Sequence, residues 1–287
     1  MASLSTTELN ATIDEKWDQE VLEARYNQSV IMPRVNNKSA IVAKSGDIIH
    51  MTVGIKLSSG TVGSNGAFTP TAITPTSVPI TIDTNKYVSL EIEDQAQQLS
   101  FYDPTNGTFP KYAGKVSAED YDGSLAGLWS DLTSSVVGDN ATGDAFDDTI
   151  ARAAMLKLRN LNVPVDDLSF ILPPVAIYNG IMAQPQFTDA SKVGMPKSVL
   201  TTNYRFPLLG TPVYESTLLK TPAGGTSTKA FLLHKEAFAI AMAINNKYKR
   251  AERTASLVLS SVVVMNYLYG FATIRQNHAC VINVKST

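Results

Sequence analysis

Cysteine is nearly absent from this chain, whose 287 residues include one, Cys280. A single thiol excludes an intramolecular disulfide and cannot supply the cysteine cluster of a structural zinc site. The three histidines, His50, His234 and His278, lie far apart in the sequence. His278 and Cys280 could share one face of a strand, but two ligands do not make a zinc site. We therefore expect no bound metal.

Charged residues are also scarce. They make up 17% of the chain, against roughly 25% in typical soluble domains, and the net charge is −2. The whole chain therefore lacks the basic excess of a nucleic-acid-binding protein. Long apolar runs are missing too, since residues 237–244 and 257–264 are too short to cross a bilayer. With no signal-peptide pattern at the N-terminus, we expect synthesis in the cytoplasm and no membrane partner.

Catalytic signatures are missing as well. The sequence contains no G-x-S-x-G nucleophile elbow and no P-loop. Glycines 60, 63 and 66 lie in an uncharged loop and not between a strand and a helix, so they do not form a dinucleotide-binding fingerprint. Glu91 and Glu93 are expected to share one face of a strand end, as solvated carboxylates. We expect neither an enzyme nor a cofactor.

What charge there is lies unevenly along the chain. Residues 1–32 carry six acids and two bases, and residues 103–148 carry nine acids and two bases. Residues 245–253 (NNKYKRAER) are locally basic. Two interpretations remain open for these runs: solvated faces, or charge complementarity between neighbouring subunits. A weak DNA-facing role for residues 245–253 ranks behind both.

The first half of the chain predicts a helix and an extended hairpin. Apolar residues every four positions, Trp17 and Val21 among them, indicate an amphipathic helix over residues 7–27. β-branched runs at residues 47–57 and 78–92 predict two strands, which flank the uncharged segment 58–77. An isolated two-stranded hairpin is marginal in water, so this one needs cover from its own core or from an adjacent subunit.

The remaining elements follow from periodicity and turn signals. An apolar stripe containing Tyr121, Leu125 and Trp129 predicts a long helix over residues 112–138, and a second helix is predicted over 144–161. Short helices are predicted at 175–183 and 235–243. Strands are predicted at 168–172, 208–216, 230–234, 254–267, 271–275 and 280–285, with a break at Gly270.

The order of these features in the second half is characteristic. The segment LRNLNVPVDDLSFILPPVAIYNGI is followed by GTPVYES (Gly210 to Ser216), by HKEA (His234 to Ala237) and by Tyr269-Gly270 before a closing strand. This order resembles that of the tailed-bacteriophage major capsid proteins with the Hong Kong 97-like fold. The N-terminal arm, extended loop and long helix of the first half match the same family order, so the resemblance covers nearly the whole chain.

The resemblance implies an α+β capsid fold with four parts. These are an N-terminal arm (1–43), an extended loop (44–94), a peripheral domain (95–164 and 241–287) that includes a spine helix at 112–138, and an axial domain (165–240). Members assemble through hexamers and pentamers into icosahedral shells, with a scaffold, a portal and packaged double-stranded DNA. The expected location is thus the virion capsid, and at 287 residues the scaffolding protein should be separate.

The resemblance assigns assembly contacts to segments of the chain, and we choose representative residues from those segments. The predicted assembly contacts are Trp17, Val21, Lys56, Phe68, Lys86, Trp129 and Arg250. Some members link Lys and Asn covalently between subunits; Lys56 and Lys86 flank the loop, but no motif here matches that linkage. Two alternatives remain: the shell of an encapsulin-type nanocompartment with an enzyme cargo, and an enzyme or surface-binding β-rich domain.

Overall fold

The computed structural model describes residues 29–42, 48–54, 57–62, 66, 75–93, 108–184, 207–223, 225–255 and 258–286. The predicted helix over residues 7–27 lies outside them. Within the described ranges, the chain forms two larger sheets, a two-stranded hairpin and two α-helices. No described helix has the length and apolar character needed to cross a bilayer.

One sheet, here called the spine sheet, has the order β1-β9-β10-β4. Its strands are β1 (Asn36–Asn37), β9 (Phe238–Ala255), β10 (Val258–Thr273) and β4 (Thr84–Glu93). Strand β1 pairs in parallel with β9, and the other pairs are antiparallel. Helix α1 (Thr108–Gly127) contacts β10, β9 and β4. Burial alternates along β4, as expected of a strand with one covered face.

The second sheet, here called the central sheet, has the order β5-β11-β8-β6-β7. Its strands are β5 (Val136–Val137), β11 (Ala279–Lys285), β8 (Ser227–His234), β6 (Leu168–Leu172) and β7 (Val213–Glu215). Every residue of β6 and β8 is buried, so neither strand alternates between a covered and an exposed face. Helix α2 (Asp148–Asn160) packs on β11 and β5.

Short elements complete the connections. Turns of 3-10 helix lie at Met32–Arg34, Ser39–Val42, Leu128–Asp131 and Gln276–His278, and a π-helix spans Ala176–Ile181. The strands predicted at 168–172, 230–234 and 280–285 are confirmed. The strand predicted at 208–216 is shorter, because residues 208–211 form a tight turn with positive φ at Leu209 and Gly210. The helix predicted at 175–183 is present as the π-helix.

The predicted spine helix ends early. Helix α1 stops at Gly127, so the prediction of 112–138 is wrong at both ends. Glycine costs about 1 kcal/mol of helix propensity relative to alanine, and Gly123 and Gly127 fall in the last turns. Val136 and Val137 then pair with β11, which the β-branched side chains favour. A 20-residue helix spans about 30 Å instead of about 40 Å.

The helix predicted at 235–243 is wrong. Residues 238–242 are buried and form the first part of β9, between β1 and β10. A short run that is apolar on every side does not distinguish a buried strand from a buried helix, and here the two hydrogen-bonded neighbours decide.

The break predicted at Gly270 is also wrong, because β10 continues through it to Thr273. A Cβ built on Gly270 would lie 2.1 Å from the carbonyl oxygen of Thr81. Glycine is therefore required here by close approach of another strand and not by a turn.

The hairpin consists of β2 (Ile48–Val53) and β3 (Thr76–Thr81), which pair antiparallel. The single strand predicted at 78–92 is therefore two strands, since β4 leaves the hairpin and joins the spine sheet. Ile49, Ile80 and Ile82 form a small core with Ala239 and Ala241 of β9. The base of the hairpin thus obtains its apolar cover within the subunit, the first of the two possibilities that the sequence left open.

Candidate assembly surface

The spine sheet has one covered face and one open face. Odd-numbered residues of β10 from Ser261 to Tyr269 point toward α1 and are buried. Register places the opposite set together, and we call it the open face: Tyr87, Ser89 and Glu91 of β4, Val262, Val264 and Asn266 of β10, and Lys247, Lys249 and Ala251 of β9. Its β10 residues are half-buried, and its β4 and β9 residues are exposed.

The open face is continuous with the surface that the hairpin covers. Leu268 and Ala272, further along β10 on the same side, pack against the core at the hairpin base. On the part of β10 that precedes Leu268, Val262 and Val264 form the apolar centre of the open face. The Tyr87 side chain beside this centre is 71% exposed. The Oδ1 atom of Asn266 is buried with no hydrogen-bond partner among the described residues. An uncovered sheet face with these properties is a surface suited to protein contact.

Opposite charges flank the apolar centre. Glu91 and Glu93 lie on β4, while Lys247 and Lys249 lie on β9. Strand β10 separates the two rows, which places them about 10 Å apart at a strand spacing near 4.8 Å. Such an arrangement favours one orientation and register of a partner over others. Glu91 and Glu93 do share one exposed face, as the sequence predicted.

The covered side is fixed to α1 by a polar network. Asp120 accepts a hydrogen bond from Lys86 at 2.5 Å and another from the Tyr267 hydroxyl. Burial lowers the pKa of Lys86, but the hydrogen bond and charge of Asp120 outweigh it and leave the pKa raised. Burial, followed by the hydrogen bond to Asp120, also raises the pKa of Tyr267. Both groups therefore stay protonated, and β4 and β10 are held to the helix.

The tyrosines pack around this network. The Tyr121 ring stands edge-on to those of Tyr267 and Tyr269, with centroids 5.7 Å and 4.8 Å away. The hydroxyls of Tyr269 and Ser124 lie 2.8 Å apart. Burial first, and then the charges of Tyr269 and Asp120, raise the pKa of Tyr121 to about 12. The described side chains of the covered face are thus packed against and hydrogen-bonded to one another, whereas those of the open face point away from α1.

A buried carboxylate anchors the N-terminal segment. Asp122 of α1 has no exposed surface and accepts hydrogen bonds from the Ser29 hydroxyl and from the backbone N–H groups of residues 30, 31 and 32. The four distances run from 2.5 to 3.0 Å. Strand β1 then pairs with β9. Asp122 therefore fixes residues 29–32 to α1, directly after the acidic part of the sequence.

A buried lysine plays a similar part in the central sheet. Lys229 is 1% exposed, and its Nζ donates to the side-chain oxygens of Asn140, Asn283 and Ser227 and to the Asn140 carbonyl. Burial lowers its pKa, partly offset by the charge of Asp139. The lysine ties the loop after β5 to strands β8 and β11.

Three of the seven predicted contact residues, Lys86, Trp129 and Arg250, lie in the described part of the chain, each on a different element. Trp17, Val21, Lys56 and Phe68 lie outside the described residues. Lys86 is paired with Asp120 in its own subunit, and the half-buried Trp129 ring lies 5.4 Å from the Lys229 ammonium. Arg250 is exposed, and its Nη2 donates to Ser261. Its neighbours Lys247 and Lys249 point to the open face instead.

Sequence reasoning missed Asp122 and Lys229. Asp122 lies in the predicted long helix and Lys229 directly precedes the strand predicted at 230–234, but their hydrogen-bond partners lie far along the chain. The described ranges hold no group of three or more His, Cys, Asp or Glu residues placed to bind a metal ion. Burial raises the pKa of Cys280 to about 12, which makes its thiol unreactive.

No protein-family model matches the chain, and no curated protein sequence matches it. Solved structures do match along the whole length, and the fold is that of chains in phage capsid structures, as the sequence resemblance predicted.

Three of the similar structures illustrate the extent of the match. A chain of Mycobacterium phage Che8 is 19% identical with a TM-score of 0.78, over 94% of this chain and 96% of that chain. A chain of the cyanophage P-SCSP1u capsid is 15% identical with a TM-score of 0.75, over 97% and 95%. A chain of the cyanophage Pam1 capsid is 12% identical with a TM-score of 0.70, over 99% of both. The α+β Hong Kong 97-like fold is therefore confirmed.

Proposed function

We propose that this chain is the major capsid protein of a tailed bacteriophage, a structural shell subunit and not an enzyme. It assembles with copies of itself through hexamers and pentamers into an icosahedral shell around double-stranded DNA. The observation that supports this most is the likeness to phage capsid chains over 94–99% of this sequence and 95–99% of those chains. The function of such a subunit is to associate with copies of itself, so the residues that matter are those on its surfaces.

The open face is the first such surface in this proposal. A neighbouring subunit covers Val262, Val264 and Tyr87, because apolar area removed from water stabilises association by about 25 cal/mol per Å². The acidic and basic rows on either side fix the register of that neighbour. The subunit's own hairpin already occupies the adjoining part of the same face, so the tip of a neighbour's hairpin is the natural occupant of the rest.

The acidic N-terminal arm is the second surface. Residues 1–28 carry a net charge of −4, and they directly precede Ser29, which Asp122 holds on the helix that contacts β9. We infer that the arm lies across a neighbour near Lys247, Lys249 and Arg250. Trp17 and Val21 on the arm, and Lys56 and Phe68 on the extended loop, remain proposed contacts.

The two sheets correspond, in this proposal, to the two domains of the capsid fold. The spine sheet and α1 form the peripheral domain, and the central sheet forms the axial domain. The predicted boundary at residue 241 needs one change, because β11 pairs with β8. Residues 279–285 therefore go with the axial domain, as do Val136 and Val137.

The same proposal implies further partners. These are a separate scaffolding protein, a portal, and packaged DNA in non-specific contact with the inner surface. The shell forms in the host cytoplasm and ends as the virion capsid.

Charge reversal tests the open face. In the double variant K247E/K249E the basic row becomes acidic, so like charges meet where opposite charges met, and we expect few or no closed particles by electron microscopy. K285E is the matched control, because Lys285 is exposed at the end of β11. Melting temperatures should match across the three proteins. Normal particles from K247E/K249E would refute the role of the open face, and particles filled with a protein cargo in place of DNA would favour a nanocompartment.

A further inference from the structure

Two crossings of the chain between the sheets meet at one place. Residues 235–237 connect β8 of the central sheet to β9 of the spine sheet, and residues 274–278 connect β10 back to β11. The backbone N–H groups of Ile274 and Arg275 donate to the Ala237 carbonyl at 2.8 and 3.1 Å. We call this meeting of the two crossings the joint. A change in the angle between the sheets would alter the backbone at this joint and in residues 128–135, which connect α1 to β5.

Two of the three histidines lie in the joint. The rings of His234 and His278 are 5.5 Å apart between centroids and nearly perpendicular. His234 is 6% exposed, and its Nδ1 accepts the backbone N–H of Glu236 at 3.2 Å. The Nε2 of His278 lies 3.3 Å from Nη1 of Arg275. A guanidinium only donates, so Nε2 of His278 accepts and its proton sits on Nδ1.

The charged groups around His278 favour the neutral form of its ring. Arg275, on the same crossing as His278, and His234 and Glu236, on the other crossing, are the charged or titratable groups that act on His278. Glu236 pairs with Arg275 at 3.3 Å. The Nδ1 of His278 is buried without a hydrogen-bond partner in the described part of the chain. A second proton on His278 would turn its acceptor into a donor facing Arg275.

We propose that the joint is an acid-sensitive hinge: protonation of His278 breaks its hydrogen bond to Arg275 and loosens the two crossings, so that the sheets can shift relative to each other. The inference goes beyond shell building and holds whether or not the chain assembles.

The direction of the pH effect follows from linkage. Burial, then the charges of Arg275 and His234, lower the pKa of His278 below its ordinary value of 6.5, and Glu236 opposes them. The unfolded or opened chain therefore binds the proton more readily than the closed joint does. The contribution to stability is complete at neutral pH, is lost as the pH falls through about 6.5, and levels off below the folded pKa.

Hydrogen exchange of the full chain tests the hinge. The amides of Ala237, Ile274 and Arg275 report on the joint, and their protection is compared at about pH 7.5 and pH 5 after correction for intrinsic rates. We expect protection to fall about tenfold in the natural protein, the effect of losing one hydrogen bond to a charged group. H278Q keeps an acceptor but cannot titrate, and it should change less than twofold. H50Q is the matched control, because His50 is exposed on the hairpin.

The variant R275Q tests the hinge independently, in case H278Q does not fold. In R275Q the proton on His278 no longer meets a cation, so the acid response should shrink there too. If H278Q and R275Q both lose protection as the natural protein does, or if the natural protein keeps full protection at pH 5, the hinge proposal is wrong.

Discussion

Gly270 is the position where a single methyl group should separate the hairpin from the spine sheet. In Gly270→Ala the new Cβ would lie 2.1 Å from the Thr81 oxygen, 2.7 Å from its carbonyl carbon and 2.9 Å from the Cα of Ile82. Real Cβ contacts are rarely under 3.0 Å, so β3 must move by about 1 Å. All three atoms belong to backbone, and no side chain can rotate away to relieve the contact.

The expected cost is at the upper end of the range for overpacking, about 3 kcal/mol. For a chain of this size that corresponds to a fall in melting temperature of roughly 6–12 °C. The loss should be local as well as global, because the small core of Ile49, Ile80 and Ile82 depends on the same approach. Hydrogen exchange should therefore speed up in β2 and β3 more than in the central sheet.

Gly54→Ala is the matched control. Gly54 follows β2, and the nearest atom to its added Cβ would be a side-chain nitrogen of Arg275 at 3.8 Å, an ordinary contact. Urea denaturation and hydrogen exchange of both variants measure the difference. A Gly270→Ala protein as stable as Gly54→Ala, with unchanged exchange in β3, would show that the hairpin is not seated on β10 as described.

Three further results are expected. Asp122→Ala leaves three backbone N–H groups without their acceptor and should cost at least about 3 kcal/mol in urea denaturation, whereas Asp166→Ala on the surface should cost almost nothing; equal losses would contradict the anchor. The pKa of Tyr121 is raised to about 12, so the folded chain holds its proton longer than the unfolded one and stability should fall as the pH rises above about 10. Tyr121→Phe should flatten that fall in alkaline melts, while Tyr178→Phe, at an exposed ring, should not, and an unchanged slope in Tyr121→Phe would refute the assignment. Replacing residues 58–75 by a short Gly/Ser turn should keep the melting temperature, since the turn still closes β2 on β3, but should prevent closed particles; normal particles would show that the loop has no part in assembly.

The sequence predicted best those elements whose local signals agree with their packing. Strand β6 is closed by Pro173-Pro174 and coincides with the prediction at 168–172. Helix α2 begins after Asp147, whose side chain accepts the Ile150 N–H at 2.8 Å, and it ends with basic residues in its last turn. Cap, dipole and periodicity all favour the same helix there.

Local signals failed where a distant strand decides the outcome. Residues 238–242 have the composition of a buried helix, and only the neighbours β1 and β10 make them a strand. Gly270 has the appearance of a turn glycine, and its reason lies nearly 190 residues away in Thr81. No window of local sequence contains either fact.

The candidate site was predictable only in part. The shared exposed face of Glu91 and Glu93 followed from strand alternation, and the basic run at 245–253 marked the other edge of the open face. Asp122 and Lys86 were not predicted as anchors, because their partners lie far along the chain and on other elements. Trp129 stays a predicted contact residue, and its contact with Lys229 of the same chain was not predictable because the two residues lie 100 positions apart.

Electron microscopy of the unmodified chain, produced together with its scaffolding protein, shows whether the chain builds a shell. We expect closed icosahedral particles in which the open face of each subunit is covered by a neighbour. A chain that stays a monomer under those conditions, with Tyr87 and Lys249 still accessible to solvent, would contradict it.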